Sequence, residues 1–385
     1  MAPLDLARLT GELDARLATA DADLARHYPG PRPARQPVHT VYVPADRFAA
    51  DTVTTYGEVA LGLLDEHEAL FLELVGGDVD LVARVRARLA SRPVDDLRID
   101  FEDGYGVRAD DEEDAAVLAA ADALRTAVAA GTAPPSSGIR FKSLERPTRH
   151  RGLRTLATFV ERLTDGGSDE GPLTGFVVTL PKVTSVDQVE AMVHAAAHLE
   201  TGLGLQPGSL RFEIQVETPQ SILGADGTAL VARMIQAADG RCTGLHYGTY
   251  DYSAFVGIAG PYQSLDHPAA DHAKAVMQAA AAGTGVWLSD GSTNVLPVGD
   301  AAGVRRGWET HLRLVRRALE RGFYQGWDLH PAQLPTRYAA TFAFYRERLD
   351  RSAVLEEPAT DRALADFVRR GRECGALDPV DTGGE

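Results

Sequence analysis

Arg211-Phe-Glu-Ile-Gln-Val-Glu217-Thr218-Pro219 alternates strictly: Phe212, Ile214 and Val216 fall on one parity, and Arg211, Glu213, Gln215 and Glu217 on the other. Successive side chains of a strand point to opposite faces, so the segment predicts a strand with one apolar and one charged face that ends at the Thr-Pro turn signal. The same division recurs twice upstream. Leu97, Ile99 and Phe101 are set against Arg98, Asp100 and Glu102, and Ile139 and Phe141 against Arg140 and Lys142. In a closed barrel of parallel strands one parity faces the helices and the other the interior. An ordinary barrel interior is filled with branched aliphatic residues, and unpaired charge there is costly. Opposite charges converging on the lumen from three strands therefore point to a site.

Outward from this stretch, eight strand candidates centre on residues 40–43, 97–101, 139–142, 176–180, 212–216, 244–247, 286–288 and 323–327. Helical periodicity fills residues 81–90, 112–130, 153–163, 186–199, 230–238, 269–282 and 308–321 between them, the pattern of βα units around a parallel sheet. Eight such units fit a (β/α)8 TIM barrel better than an open doubly wound sheet, and no Gly-rich dinucleotide fingerprint follows the first strand. Residues 1–37 read as an N-terminal helix and a proline-punctuated linker, 38–335 as the barrel catalytic domain, and 336–385 as a C-terminal helical extension with helices expected at 336–349 and 359–374.

Composition limits the partners. A formal net charge of −16 repels nucleic acid and anionic membrane surfaces at long range, while small anions answer to local charge. Cys242 and Cys374 have neither CxxC spacing nor a disulfide framework. No long apolar run and no signal peptide are visible, so a cytoplasmic location is expected, with no nucleic-acid or membrane partner.

Barrel chemistry sits at the carboxyl ends of strands. Glu217 and Asp251, which closes Gly244-Leu-His-Tyr-Gly-Thr-Tyr-Asp251, both lie there, and two carboxylates brought together suit a hard divalent cation. Asp100, Glu102, Arg140 and Lys142 pass the same positional test. Arg98 and Glu213, nearer the strand beginnings, read as a structural ion pair low in the barrel. Asp103 and His330 are evenly divided between a site and a structural role, and His39, His246 and Asp290 rank lower.

Several segments, in order, resemble the Mg2+-dependent HpcH/HpaI aldolase and citrate lyase β-subunit superfamily, with malate-synthase-like features. They are Val41-Tyr-Val-Pro44, Ile99-Asp-Phe-Glu-Asp103, Ile139-Arg140-Phe, Leu180-Pro-Lys-Val183, Glu217-Thr218, Gly248-Thr-Tyr-Asp251-Tyr252 and Gly322-Phe…His330-Pro-Ala-Gln333. The resemblance implies a carbon–carbon lyase or aldolase acting on a 2-oxo acid or its hydroxy-acid adduct through a metal-stabilised enolate. It implies Glu217 and Asp251 as ligands of Mg2+ or Mn2+, Asp100 and Glu102 as holders of metal-bound water, and Arg140 as donor to the substrate oxygen. The turn at Gly248, Thr249 and Tyr250 would bind the substrate carboxylate, and Lys182 and His330 would shape the site. A homo-oligomer, trimer or hexamer, is implied as well.

The chain also departs from that pattern. His39-Thr40 stands where relatives often have Arg-Ser, and Lys142 where they have a short neutral polar residue; the extra lysine favours a more anionic acid, phosphorylated or dicarboxylic. These positions leave open whether a coenzyme A thioester is a co-substrate. The alternatives are a malate-synthase-like condensation of an acyl-CoA with a 2-oxo acid, phosphoenolpyruvate-directed chemistry, and a metabolite-binding regulatory barrel without catalysis. Malate synthases carry a catalytic aspartate in a C-terminal helical domain; Asp361, Asp366 and Asp378 are the tail acids a neighbouring subunit would borrow, and otherwise are surface acids.

Overall fold

A computed structural model describes residues 5–165, 173–349 and 358–378. Helix α1 (Leu6–His27) leads into strand β1 (His39–Pro44). Three helices follow, α2 (Thr52–Glu66), α3 (Glu68–Leu74) and α4 (Val79–Ser91), before β2 (Asp96–Asp100). The chain then alternates through α5 (Asp110–Ala130), β3 (Ser136–Arg140), α6 (Arg149–Thr164), β4 (Phe176–Leu180), α7 (Val186–Leu203) and β5 (Arg211–Val216). Short α8 (Pro219–Ile222) and α9 (Leu230–Ala237) lead to β6 (Cys242–Tyr247), and α10 (Thr249–Phe255) and α11 (Pro268–Ala281) to β7 (Trp287–Ser289). Helix α12 (Ala301–Glu320), β8 (Gly326–Asp328), α13 (Leu334–Leu349) and α14 (Pro358–Glu373) complete the described elements.

Local sequence explains the helix ends. Four acids, Asp110 to Glu113, occupy the first turn of α5, where they meet the positive end of the helix dipole. Gly131 closes that helix at φ 70°, a left-handed cap that a side chain would strain. Ser185 and Gln188 form a capping box at the start of α7, and Asp78 and Asp300 cap α4 and α12.

The eight strands are parallel and neighbour one another in the order β7-β6-β5-β4-β3-β2-β1-β8. A parallel bridge between Ser289 and Gln325, with the Asp290 N–H donating to the Gln325 carbonyl at 2.9 Å, joins the two ends. The expected (β/α)8 TIM barrel is the fold. Its apolar layer lies between sheet and helices, where Phe101 packs edge-on against Phe159 and Phe159 stacks on Phe176. Strands β3 and β4 approach so closely that a Cβ on Gly138 would lie 1.7 Å from the Val177 carbonyl oxygen.

The lumen is polar, as parity predicts. Arg98 donates to both Glu213 oxygens at 2.9 and 2.8 Å and to Asp96 at 2.5 Å, and His246 Nε2 meets Glu213 at 2.9 Å. Arg98 and Glu213 are thus the structural pair expected low in the barrel. Burial opposes charge here, but Arg98 and His246 outweigh it and hold the Glu213 carboxyl far below its usual range.

Three details differ from the sequence reading. Strand β3 ends at Arg140, so Lys142 lies beyond it and no longer obeys strand parity. Helices α2, α3, α8 and α10 were not anticipated; α3, α8 and α10 are each seven residues or fewer. The segment expected as a C-terminal extension divides: α13 packs against α12, α4 and α2 in the barrel's helical layer, while α14 packs on α13. Cys242 and Cys374 are both buried and free. No helix among the described residues is long and apolar enough to cross a membrane.

Candidate active site

A cavity of about 730 Å³ opens at the carboxyl end of the barrel, and Asp100, Asp103, Arg140, Glu217, Thr249, Tyr250, Asp251 and His330 all line it. Strand ends from β2, β3, β5, β6 and β8 deliver these residues, the arrangement the parity argument requires.

Arg140 is the best-defined member. Its Nε and Nη2 donate to the two oxygens of Asp100 at 2.7 and 2.6 Å, a fork-to-fork pair in which both side chains are buried. The guanidinium is clasped between the rings of Tyr42 and Trp327, 5.0 and 5.3 Å from their centroids. Nη1 keeps only long contacts, 3.4 Å to Gln215 and 3.4 Å to Glu102, so it holds the donors left for a ligand. Burial disfavours the charge, but Asp100 and Glu102 raise the Arg140 pKa well above its usual value.

Asp100 is spent on this task. Beyond the two bonds from Arg140 it accepts the Glu102 N–H at 2.9 Å and the Gly104 N–H at 2.8 Å, which fills both oxygens. It therefore orients Arg140 and ties down the following loop. Gly104 is needed at that turn because a Cβ would lie 2.5 Å from Asp100 Oδ2.

The carboxylates gather around Lys182. Its ammonium lies 2.9 Å from Glu102, 2.9 Å from Asp103 and 3.3 Å from Asp251. Its backbone takes a left-handed conformation at φ 51°, and its N–H donates to Glu217 Oε1 at 2.7 Å. Glu217 is fully buried, with its second oxygen accepting from Gln215 Nε2 at 2.5 Å. Burial pushes the Glu217 carboxyl well above its usual range, and the negative charges of Asp251 and Glu102 add to this while Lys182 opposes it. Glu102 is raised to about 7, again chiefly by burial.

The donor set suits a divalent cation. All donors are carboxylate or carbonyl-type oxygens, the chemistry Mg2+ and Mn2+ prefer, and Mg2+ is commonly bound by only one or two carboxylates with water completing the shell. Among the described residues no three His, Cys, Asp or Glu side chains are grouped so as to hold a metal. Yet a buried Glu217 and a Glu102 held above their usual range, chiefly by burial, are the environment a dication would relieve, and the Lys182 ammonium already supplies positive charge there. Glu217 and Asp251 fit the ion in donor type and charge.

Other expected residues are placed as follows. Gly248 donates its own N–H to the Val216 carbonyl, so it cannot serve a ligand carboxylate; its lack of a Cβ matters instead, since one would lie 2.4 Å from Glu217 Cβ. Thr249 donates to the Ser292 carbonyl at 3.0 Å, and the Tyr250 hydroxyl accepts from the Asn294 N–H at 2.5 Å, which ties the turn to the loop after β7. His330 lines the cavity and accepts the Ala332 N–H on Nδ1; burial lowers its pKa.

Lys142 is a correction. Its ammonium points out of the barrel to Glu113 of α5 at 2.5 Å and to the Phe101 carbonyl at 2.8 Å, because the chain has left the strand and turned toward the helices. His39 and Thr40 open β1, away from the mouth, bonded to Asp328 of β8 and to Asp96 at the start of β2. Asp366 and Asp378 are held by Arg370 and Arg84 of the same chain. The residues missed are Tyr42, Arg47, Tyr56 and Trp327, all lining the cavity. Parity on Val41 and Val43 would have turned Tyr42 inward, whereas Arg47 and Tyr56 follow the strand and carry no periodic signal.

A model of the family described as Domain of unknown function (DUF6986) matches residues 17–383. The chain belongs to that family. A search of curated proteins finds no match for this DUF6986 chain. Among solved structures it is similar to malate synthase of Haloferax volcanii in its lead(II) complex, 14% identical, with 89% of each chain covered and a TM-score of 0.54. The magnesium/glyoxylate complex of that enzyme gives 13% identity, 90% and 100% coverage and 0.53. The citrate lyase β subunit of Mycobacterium tuberculosis complexed with oxaloacetate and magnesium gives 19%, 80% and 97%, and 0.45. At these identities the malate synthase structures establish the shared fold for the DUF6986 chain, in keeping with the resemblance read from its sequence.

Proposed function

We propose that this protein is a metal-dependent enzyme that breaks or forms a carbon–carbon bond at a 2-oxo acid, with lyase or aldolase action on the acid or its hydroxy-acid adduct as the leading reading. The observation that carries it is the Arg140–Asp100 pair sharing one cavity at the carboxyl end of the barrel with three further carboxylates, Asp103, Glu217 and Asp251. Bound Mg2+ or Mn2+, held by Glu217 and Asp251, would supply Lewis-acid polarisation of the keto carbonyl.

The chain's own groups supply the rest. Arg140 Nη1 would donate to the oxygen on which negative charge develops, and Asp100, Tyr42 and Trp327 fix its plane before substrate arrives. The N–H groups of the first turn of α10, which lack intrahelical acceptors, would receive the substrate carboxylate. Lys182 holds Glu102, Asp103 and Asp251 together and would move as positive charge enters. The magnesium and glyoxylate bound by the similar Haloferax volcanii malate synthase support the same substrate class. The volume of about 730 Å³ exceeds what a small oxo acid fills, which favours condensation with an acyl-CoA as the second reading.

A panel of pyruvate, oxaloacetate, glyoxylate and their acyl-CoA combinations, run with Mg2+ or Mn2+, tests this. Turnover by the wild type and its loss in Glu217→Ala and Asp251→Ala is expected. Dependence on the thioester decides for condensation, and turnover that survives chelation and both substitutions would contradict the metal reading. The implied trimer or hexamer belongs to the same proposal and is checked by light scattering.

A further inference from the structure

The opposite end of the barrel holds a second cavity, of about 430 Å³, ringed by the beginnings of the strands. Its charge is unlike that of the chain. Five arginines, Arg32, Arg35, Arg92, Arg98 and Arg211, line it against three carboxylates, Asp95, Asp96 and Glu213, an excess of two positive charges in a protein with net charge −16. The pairing within it is uneven. Asp95 is satisfied by Arg35 and Arg88, and Asp96 and Glu213 by Arg98. Arg32 and Arg211 are left with no carboxylate partner among the described residues.

Arg32 is half-buried, lies 5.5 Å from the centroid of the Trp287 ring and donates only to the Cys242 carbonyl at 3.1 Å. Arg211, exposed at the start of β5, lines the same cavity, and burial followed by the charge of Arg211 lowers the Arg32 pKa. A second sign points to a ligand. His246, only 2% exposed, uses Nε2 on Glu213 and leaves Nδ1 with no partner, and the buried Ser209 hydroxyl is likewise unpartnered; both residues line the cavity. Buried polar groups rarely go unpaired, and two beside two unneutralised guanidiniums make a polar site prepared for a multiply bonded anion.

We propose that this N-terminal cavity binds a small phosphate monoester, its phosphate held by Arg32 and Arg211 and its organic part resting against Trp287. A tetrahedral dianion matches two guanidiniums that line one cavity without carboxylate partners, and the volume leaves room for a body beyond the phosphate. Barrel enzymes carry their chemistry at the other end, so the site is a ligand subsite separate from catalysis.

Calorimetric titration of the intact protein with inorganic phosphate, phenyl phosphate and succinate tests it. Saturable binding of phenyl phosphate is expected, tighter than that of inorganic phosphate. It should weaken about tenfold or more in Arg32→Gln and in Arg211→Gln, which remove one charge-assisted partner each. Thermal melting confirms that both variants stay folded, and Glu217→Gln should leave the affinity unchanged. Absence of saturable binding, binding that persists in the double arginine variant, or loss of binding in Glu217→Gln would each overturn the site. Succinate binding as tightly as phenyl phosphate would overturn the phosphate assignment.

Discussion

Replacing Gly248 by alanine probes how closely the turn after β6 is fitted to Glu217. Gly248 has φ −93°, which any residue adopts, so the substitution costs nothing in backbone conformation and acts through space alone. Its new Cβ would lie 2.4 Å from Glu217 Cβ and 2.8 Å from Oε2, whereas ordinary contact begins near 3.4 Å. The turn or the glutamate must yield by roughly 1 Å, on the scale of an overpacked core, with a stability cost of about 1–3 kcal/mol. Glu217 is held by the Lys182 N–H at 2.7 Å and Gln215 Nε2 at 2.5 Å, and a shift of that size stretches both bonds toward their limit. Misplacing a ligand through its neighbours costs about 10–100-fold in metal affinity. Mn2+ affinity, followed by electron paramagnetic resonance of the free ion, should fall by that factor alongside a lower melting temperature. Gly244→Ala is the control: on the strand that leads into the turn, its Cβ would meet nothing closer than 3.6 Å, and both readouts should stay at wild-type values. Unchanged Mn2+ affinity in a folded Gly248→Ala protein would refute the reasoning.

Lys142→Met should lower stability by about 3 kcal/mol, because it leaves the buried Glu113 carboxylate short of a partner, while KM for the oxo acid stays within twofold; a large rise in KM would restore Lys142 to the site. Gly138→Ala places a Cβ 1.7 Å from the Val177 carbonyl oxygen and should cost more than about 3 kcal/mol, read as loss of soluble protein or a melting temperature many degrees lower. Asp95 is held at about 2: burial opposes its charge, and Arg88 and Arg35 outweigh that. A carboxyl depressed in the folded state stabilises above its unfolded pKa, so about 2 kcal/mol is present at neutral pH and is lost as pH falls from roughly 4 through 2. Urea unfolding between pH 5 and 2.5 should show a shallower loss in Asp95→Asn; equal slopes would contradict the assignment.

Strand parity carried most of what was legible in the sequence. Arg98, Asp100, Arg140 and Glu213 occupy lumen or mouth positions because each lies inside a regular strand, where alternation is a geometric necessity, and Glu217 follows directly on the last residue of β5. Lys142 was misplaced by the same rule, since β3 stops two residues earlier and the parity stops with it. Asp100 shows a different limit. Its location was readable, but its saturation by Arg140 and two loop N–H groups depends on where the backbone turns after β2. Lys182 gathers its carboxylates through a positive φ at a single residue, for which periodicity offers no sign. Arg47 and Tyr56 come from a 3-10 turn and a helix after β1, where proximity to the mouth is set by packing of the first βα unit.

The central claim is that Glu217 and Asp251 hold a divalent cation beside Arg140. Anomalous diffraction from crystals grown with saturating Mn2+ tests it most directly. A peak between the two carboxylates is predicted, within about 2.0–2.3 Å of an oxygen from each, with the Lys182 ammonium drawn away from Asp251. A map with no peak there, or with Mn2+ bound elsewhere while Lys182 stays in contact with Asp251, would contradict the account.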